Sequence, residues 1–186
     1  MTYRDTLTRL GDSTADAVAA VYAARDAGDL TDDDAVAMIA AIIEGANNRA
    51  AALADLALAA TLTVALKKPV PALGILPAPG DRQRLIKAAT TLLAALPDTP
   101  DPLARVERLG RSEPLTTAAR ARGEAIERQP SVTGWTRSVS GSGCQLCTWW
   151  SRDGRVWPAS HRMPTHKGCT CTQTPTVREH IKPEAN

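Results

Sequence analysis

GCQLCTWWSRDGRVWPASHRMPTHKGCTCTQTP, residues 143–175, holds all four cysteines of the chain, three of its four tryptophans and two of its three histidines. The whole chain has 186 residues and no phenylalanine. Such crowding needs a local cause, and the spacing supplies one. Cys144-x2-Cys147 is followed, after eighteen residues, by His166-x2-Cys169-x-Cys171. Zinc takes four thiolate or imidazole ligands in a tetrahedron, and two short chelating turns are the usual way a chain supplies them. Gly143 and Gly168, each next to a cysteine, suit tight backbone turns.

Five donors compete for four places. Cys144, Cys147, His166 and either Cys169 or Cys171 form the preferred set. A four-cysteine site with His166 outside the coordination sphere is the rival. His161, in the loop between the pairs, is a weaker candidate, and His180 reads as a surface residue. A Cys144–Cys147 redox pair or two disulfides are other uses of the same cysteines. A redox C-x2-C belongs in a βαβ context, which this sequence lacks.

A segment this short cannot bury a conventional core, so a metal staple accounts for its folding. Trp149, Trp150 and Trp157, with Val156, are expected to form a mini-core around the site, and Trp135 to seat the preceding strand on it. The alternative places Trp149 and Trp150 with Arg152, Arg155 and Arg162 on a surface that stacks bases and meets phosphates. Just upstream, VTGWTRSV (132–139) is rich in β-branched and aromatic residues and predicts a strand. SGSG then reads as a flexible turn.

Upstream of Pro130 the chain changes character. Aromatics are only 3% of residues, and alanine, the best helix former, dominates the apolar set. Residues 3–28 predict a helix that Gly11 and Asp12–Ser13 interrupt early. Thr31 caps the next, and its three aspartates suit the positive end of the helix dipole. That helix is expected to run from Asp32 to about Leu66, with a break around Gly45–Asn48. Lys67–Gly80 carries four prolines and two glycines and reads as a connector. Asp81 is expected to cap a third helix ending before Pro97. Asp101 and Pro102 open a short helix, and Ser112 to about Arg128 forms the last, with Pro114 in its first turn. The fold expected is mainly α. Residues 1–66 form a long-helix region, 67–80 a connector, 81–129 a further helical region, and 130–186 a small zinc-stapled α+β or β unit with a polar tail.

Charge is divided unevenly. Residues 1–64 hold ten acids and four bases, while the remainder is formally +8, for a net +2. A basic half can meet an acidic surface or nucleic acid, or simply be solvated. The polar N-terminal stretch lacks the apolar core of a secretory signal. The most apolar run, Leu56–Leu66, is eleven residues, short of a bilayer span. A soluble protein made in a reducing cytoplasm is expected, with no membrane partner.

No catalytic set stands out. A catalytic zinc keeps an open position beside an acid or base. Asp153 is the one carboxylate between Cys144 and Cys171, and it sits in an apparent hairpin turn, Arg152–Arg155. An HNH-like nuclease would enlist His161 and His166, but no asparagine lies in the segment to share the work. There is no Walker loop, no GxGxxG and no Ser/His/Asp set.

Residues 134–175 resemble the C-terminal motif of MuF-like minor capsid proteins, the phage head morphogenesis proteins of tailed phages of actinobacteria. The matching positions are Gly134, Trp135, Arg137, Cys144, Cys147, Gly154, Val156, Trp157, His166, Cys169, Cys171 and Pro175. The motif covers about a quarter of the chain. Upstream only the plan of Ala-rich helices agrees, and the chain carries no protease-like segment of the kind fused to some relatives. The resemblance implies a structural minor component of the phage head, with no enzymatic activity and a structural zinc. Its partners would be the portal protein, the major capsid protein or both, with several copies per head and a contact to packaged DNA available to the basic half. Its place would be the virion, after assembly in the host cytoplasm.

Overall fold

A computed structural model describes residues 2–139, 141 and 144–178. Gly143 and His180, the polar tail beyond Arg178 and most of the SGSG turn lie outside the described residues. Among the described residues, five α-helices and three strands follow one another: α1 (Tyr3–Asp26), α2 (Asp32–Leu66), α3 (Asp81–Ala95), α4 (Pro102–Arg128), β1 (Val132–Ser138), α5 (Gln145–Ser151), β2 (Trp157–Pro158) and β3 (Thr172–Val177). The architecture is mainly α, with a small three-stranded sheet at the C-terminal end, as expected.

The N-termini form where the chain supplies caps. Thr2 Oγ1 accepts from the Asp5 amide while the Thr2 amide donates to the Asp5 carboxylate, a reciprocal box that opens α1. Thr31 caps α2 by accepting from the Asp34 amide. At α3 the expected cap is displaced by one residue: Gly80 is the N-cap, in a left-handed conformation, and Asp81 is the first helical residue.

Three expected breaks do not occur. α1 passes through Gly11 because that glycine faces α4, where a β-carbon would come within 3.3 Å of the Arg111 carbonyl oxygen. Asp12 pairs with Arg111 at 2.8 Å across the same seam. Gly110 of α4 answers Gly11: a β-carbon there would lie 2.9 Å from Ala15 Cα. α2 continues through Gly45–Asn48 because Ala46, Asn47, Ala50 and Ala51 keep its buried stripe in register. α4 is one helix where two were expected. Pro114 sits inside it, and the α1–α4 seam, closed by Gly11 and Gly110, holds its two halves together.

α2 is the spine. Its 35 residues are long and apolar enough, by length and composition, to cross a membrane, which the eleven-residue run alone was not. In this fold the helix buries thirteen of its residues, among them Ile39, Ile43, Leu58 and Leu62. Among the described residues, two large clusters make the core of the helical body and a third, small one gathers Cys147, Cys169 and Cys171. Of the large clusters, one joins Val18, Ile39, Ile43, Leu85, Leu93 and Val106 of α1–α4. The other joins Leu7, Leu58, Leu62, Leu115 and Ile126 to Ile75 of the connector and to Val132 and Trp135 of β1. A polar seam ties α3 down: Asn47 donates to Asp81 at 2.8 Å, and Arg84 pairs with both Asp81 and Glu113.

The connector is held by a carboxylate. Asp55, 4% exposed, accepts hydrogen bonds from the amides of Leu73, Gly74 and Ile75 at 2.7–3.1 Å. A buried anion is tolerable when donors saturate it, and here the proline-punctuated segment has free amides to offer.

The sheet has the order β2-β1-β3 with both pairings antiparallel. Trp135 stands opposite Trp157 on one side and Pro175 on the other, and Arg137 stands opposite Gln173. Gly134 cannot be another residue here, because a β-carbon would fall 2.3 Å from the Trp157 carbonyl oxygen. Trp135, fully buried, donates its indole N–H to the His161 carbonyl oxygen at 2.9 Å and so fastens the metal-donor loop to the helical core.

Candidate metal centre

Two short segments carry the donors. Cys144 occupies the N-cap position of α5, and Cys147 falls in the first turn, so C-x2-C is the start of a helix. The second segment is a turn at Lys167–Gly168, where Gly168 takes φ +75° and the Cys169 amide donates to the His166 carbonyl oxygen at 3.1 Å. Cys171 follows one residue later, immediately before β3. Strand β1 thus holds one end of the cluster through β3.

The donors meet. His166 Nε2 lies 3.2 Å from Cys144 Sγ and 3.1 Å from Cys147 Sγ, and Cys147 Sγ lies 3.6 Å from Cys169 Sγ. Two triads result, Cys144–Cys147–His166 and Cys147–Cys169–Cys171, with Cys147 common to both. In a tetrahedral thiolate–imidazole site, ligand bonds of about 2.0–2.3 Å put neighbouring donor atoms about 3.5–3.8 Å apart. The observed separations are close to that figure, and the five residues can hold a metal ion.

His166 is also set in the right tautomer. Its Nδ1 lies 3.0 Å from the Lys167 carbonyl oxygen, which can only accept. Nδ1 therefore carries the proton, and the lone pair of Nε2 points at the sulfurs. His166 thus stands with Cys144 and Cys147 in one triad, and Cys169 and Cys171 stand with Cys147 in the other.

The thiols differ in acidity. The Cys147 amide, at the N-terminus of α5, is the main influence holding the Cys144 thiol below its ordinary pKa. Burial pushes Cys147 up to about 11. Cys169 is pushed strongly up, first by its contact with Cys171 and then by burial. Protonated thiols packed this closely are what a dication replaces.

The surroundings depart from expectation. Trp149 is 60% and Val156 54% exposed, so neither joins a mini-core. α5 is only two turns long, and a helix that short buries only one face; Cys147 occupies it. The aromatic packing is built instead on Trp135, Trp157 and His161, with the Trp157 and His161 rings stacked 4.3 Å apart. His161 belongs to that stack and to neither donor triad. Trp150 lies beside His166, with the Arg137 guanidinium 5.4 Å above its ring. Asp153 is exposed in a 3-10 turn, Arg152–Gly154, that links α5 to β2, so the expected hairpin turn is a helix exit.

Two buried polar residues near the donors, Arg122 and Gln173, were not marked by the sequence. Arg137, also buried, stands in the Gly134–Arg137 stretch that was. Arg122 is one of many arginines in a helix, and nothing in its neighbours marks it.

A small metal-donor unit fastened to a helical body is the class that fold and site define. The chain belongs to the VG15 protein family, whose model matches residues 1–185. This is a family of phage gene products, and the chain is a phage protein. No curated protein and no solved structure matches it.

Proposed function

We propose that the protein is a structural minor capsid protein of the MuF-like kind, built into the head of a tailed phage at the portal or the capsid interior. It carries a structural zinc ion and has no catalytic role. The observation behind this reading is the convergence of the GW-x-R strand, C-x2-C and H-x2-C-x-C on one small unit, with Gly134 fitted against Trp157 and the five donors together. Family membership supports a phage setting. Zinc suits a tetrahedral sulfur–nitrogen set, and a donor set with no spare position supports a structural ion. α2 supports a partner-facing role: Leu56 and Val64 are 60% and 79% exposed on a side that also shows Ala52 and Ala60.

The test is co-assembly. Expressed with the neighbouring head genes, the chain should be found in proheads, associated with portal or capsid protein, and later in virions. Particles that assemble without a trace of it would contradict the reading.

A second reading, direct nucleic-acid binding by the C-terminal unit, is favoured by one observation. Trp149 is exposed on a unit in which Arg152, Arg162 and Lys167 make no ion pair or hydrogen bond through their side chains among the described residues. It requires DNA affinity that falls steeply with salt and is lost when Arg152, Arg155 and Arg162 are replaced by Ala. An HNH-like nuclease would instead need metal-dependent nicking abolished by His161→Ala or His166→Ala in a folded protein.

A further inference from the structure

Arg122 projects from α4 toward β3 and is 6% exposed. Its Nε donates to the Gln173 carbonyl oxygen at 2.9 Å, and its guanidinium lies 5.0 Å from the centre of the Tyr3 ring. Its Nη1 is buried with no hydrogen-bond partner. No carboxylate pairs with it among the described residues. Tyr3 does not supply an anion, because burial pushes its phenol up to about 12. A void of about 10 Å³ adjoins the guanidinium, and its walls include Tyr3, Gln173, Cys169 and Cys171.

An arginine does not give up its proton in a protein, so Arg122 is a buried cation with no anion. The groups across the void that can become anionic are the two cysteines. A divalent ion held by three thiolates and an imidazole leaves one net negative charge, and four thiolates leave two. We propose that Arg122 is the counter-cation of the metal–thiolate centre: metal binding supplies the anion that Arg122 lacks, and Arg122 in turn tightens the metal. Arg137 reaches the same centre from the sheet. It is 5% exposed, with Nε and Nη1 unpartnered, and it lies over the Trp150 ring beside His166. The inference rests on the metal reading of the five donors.

The experiment uses the full chain with zinc as the probe. Zinc affinity is measured by chelator competition for wild type, Arg122→Gln and Arg122→Lys, and thermal unfolding is recorded with zinc and after its removal. Arg122→Gln should bind zinc ~10–100-fold more weakly, while Arg122→Lys, which keeps the charge, stays nearer wild type. The signs of the stability changes should reverse. Without zinc, Arg122→Gln should melt above wild type, because a stranded charge is gone; with zinc, it should melt below. A residue that merely packs would shift both in one direction, and that outcome, or unchanged zinc affinity, overturns the proposal. Arg122→Met replaces Arg122→Gln if the latter does not fold, with the same reversal expected. Wild type that binds no zinc would overturn the metal reading itself, whereas tight binding indifferent to Arg122 would overturn only this inference.

Discussion

Cys147 Sγ lies 3.1 Å from His166 Nε2 and 3.6 Å from Cys169 Sγ, so one sulfur joins the helix-borne and the turn-borne donors. Cys147 is buried at the start of α5, and each donor triad includes it. Cys147→Ser should therefore abolish metal binding, whereas replacing Cys169 or Cys171 singly should spare the Cys144–Cys147–His166 triad and weaken it less. Near-ultraviolet dichroism, which reports the tryptophans, should collapse in Cys147→Ser while far-ultraviolet helicity stays, because the helical body has its own core. Unchanged tryptophan dichroism would separate the fold of the unit from its metal.

Metal affinity should rise with pH. Cys147 and Cys169 have raised pKa values in the metal-free protein and hold their protons at neutral pH. Binding must release those protons, so each lost pH unit costs affinity. Zinc affinity followed from about pH 6 to 8 should climb, with proton release seen in weakly buffered solution. A flat profile would mean that the thiols are not the ligands.

Gly134 and Gly45 should answer substitution in opposite directions. Gly134→Ala drives a β-carbon to 2.3 Å from the Trp157 carbonyl oxygen, between two paired strands. Overpacking of this kind costs about 1–3 kcal/mol or more, and β2 should be displaced from β1. Gly45 stands on the exposed side of α2 with nothing within 4 Å of an added β-carbon. Gly45→Ala should stabilise by roughly 0.5–1 kcal/mol. Denaturant unfolding of both variants measures the contrast.

Asp55→Ala should release the connector. Three buried or half-buried amides lose their acceptor at once. Hydrogen bonds to a charged group contribute about 1.5–3 kcal/mol each, and donors left unsatisfied add to the loss. Limited proteolysis should then cut within Pro69–Pro79, a segment that should resist in wild type. An unchanged digestion pattern would contradict this.

Much of the architecture was legible. The caps Thr31 and Asp101, the proline punctuation and the β-branched run at 132–139 each act through local chemistry, so the elements fell close to where the sequence put them. That the five cysteine and histidine donors come together was legible in their paired spacing. What was hidden depends on packing between distant segments. Gly11 looks like a helix breaker until α1 is seen to meet α4 there, beside Gly110. Asp55 looks like an interruption of an apolar run until the connector folds back onto it. Trp149 has the same local company as Trp150, yet one projects outward and the other lies beside His166.

Metal content of the purified full chain tests the central claim most directly. Elemental analysis should find about one zinc ion per chain, as a four-ligand structural site requires, and none in Cys147→Ser. No bound metal, with all four cysteines of the native protein modified by a thiol reagent as freely as in the unfolded chain, would contradict the account.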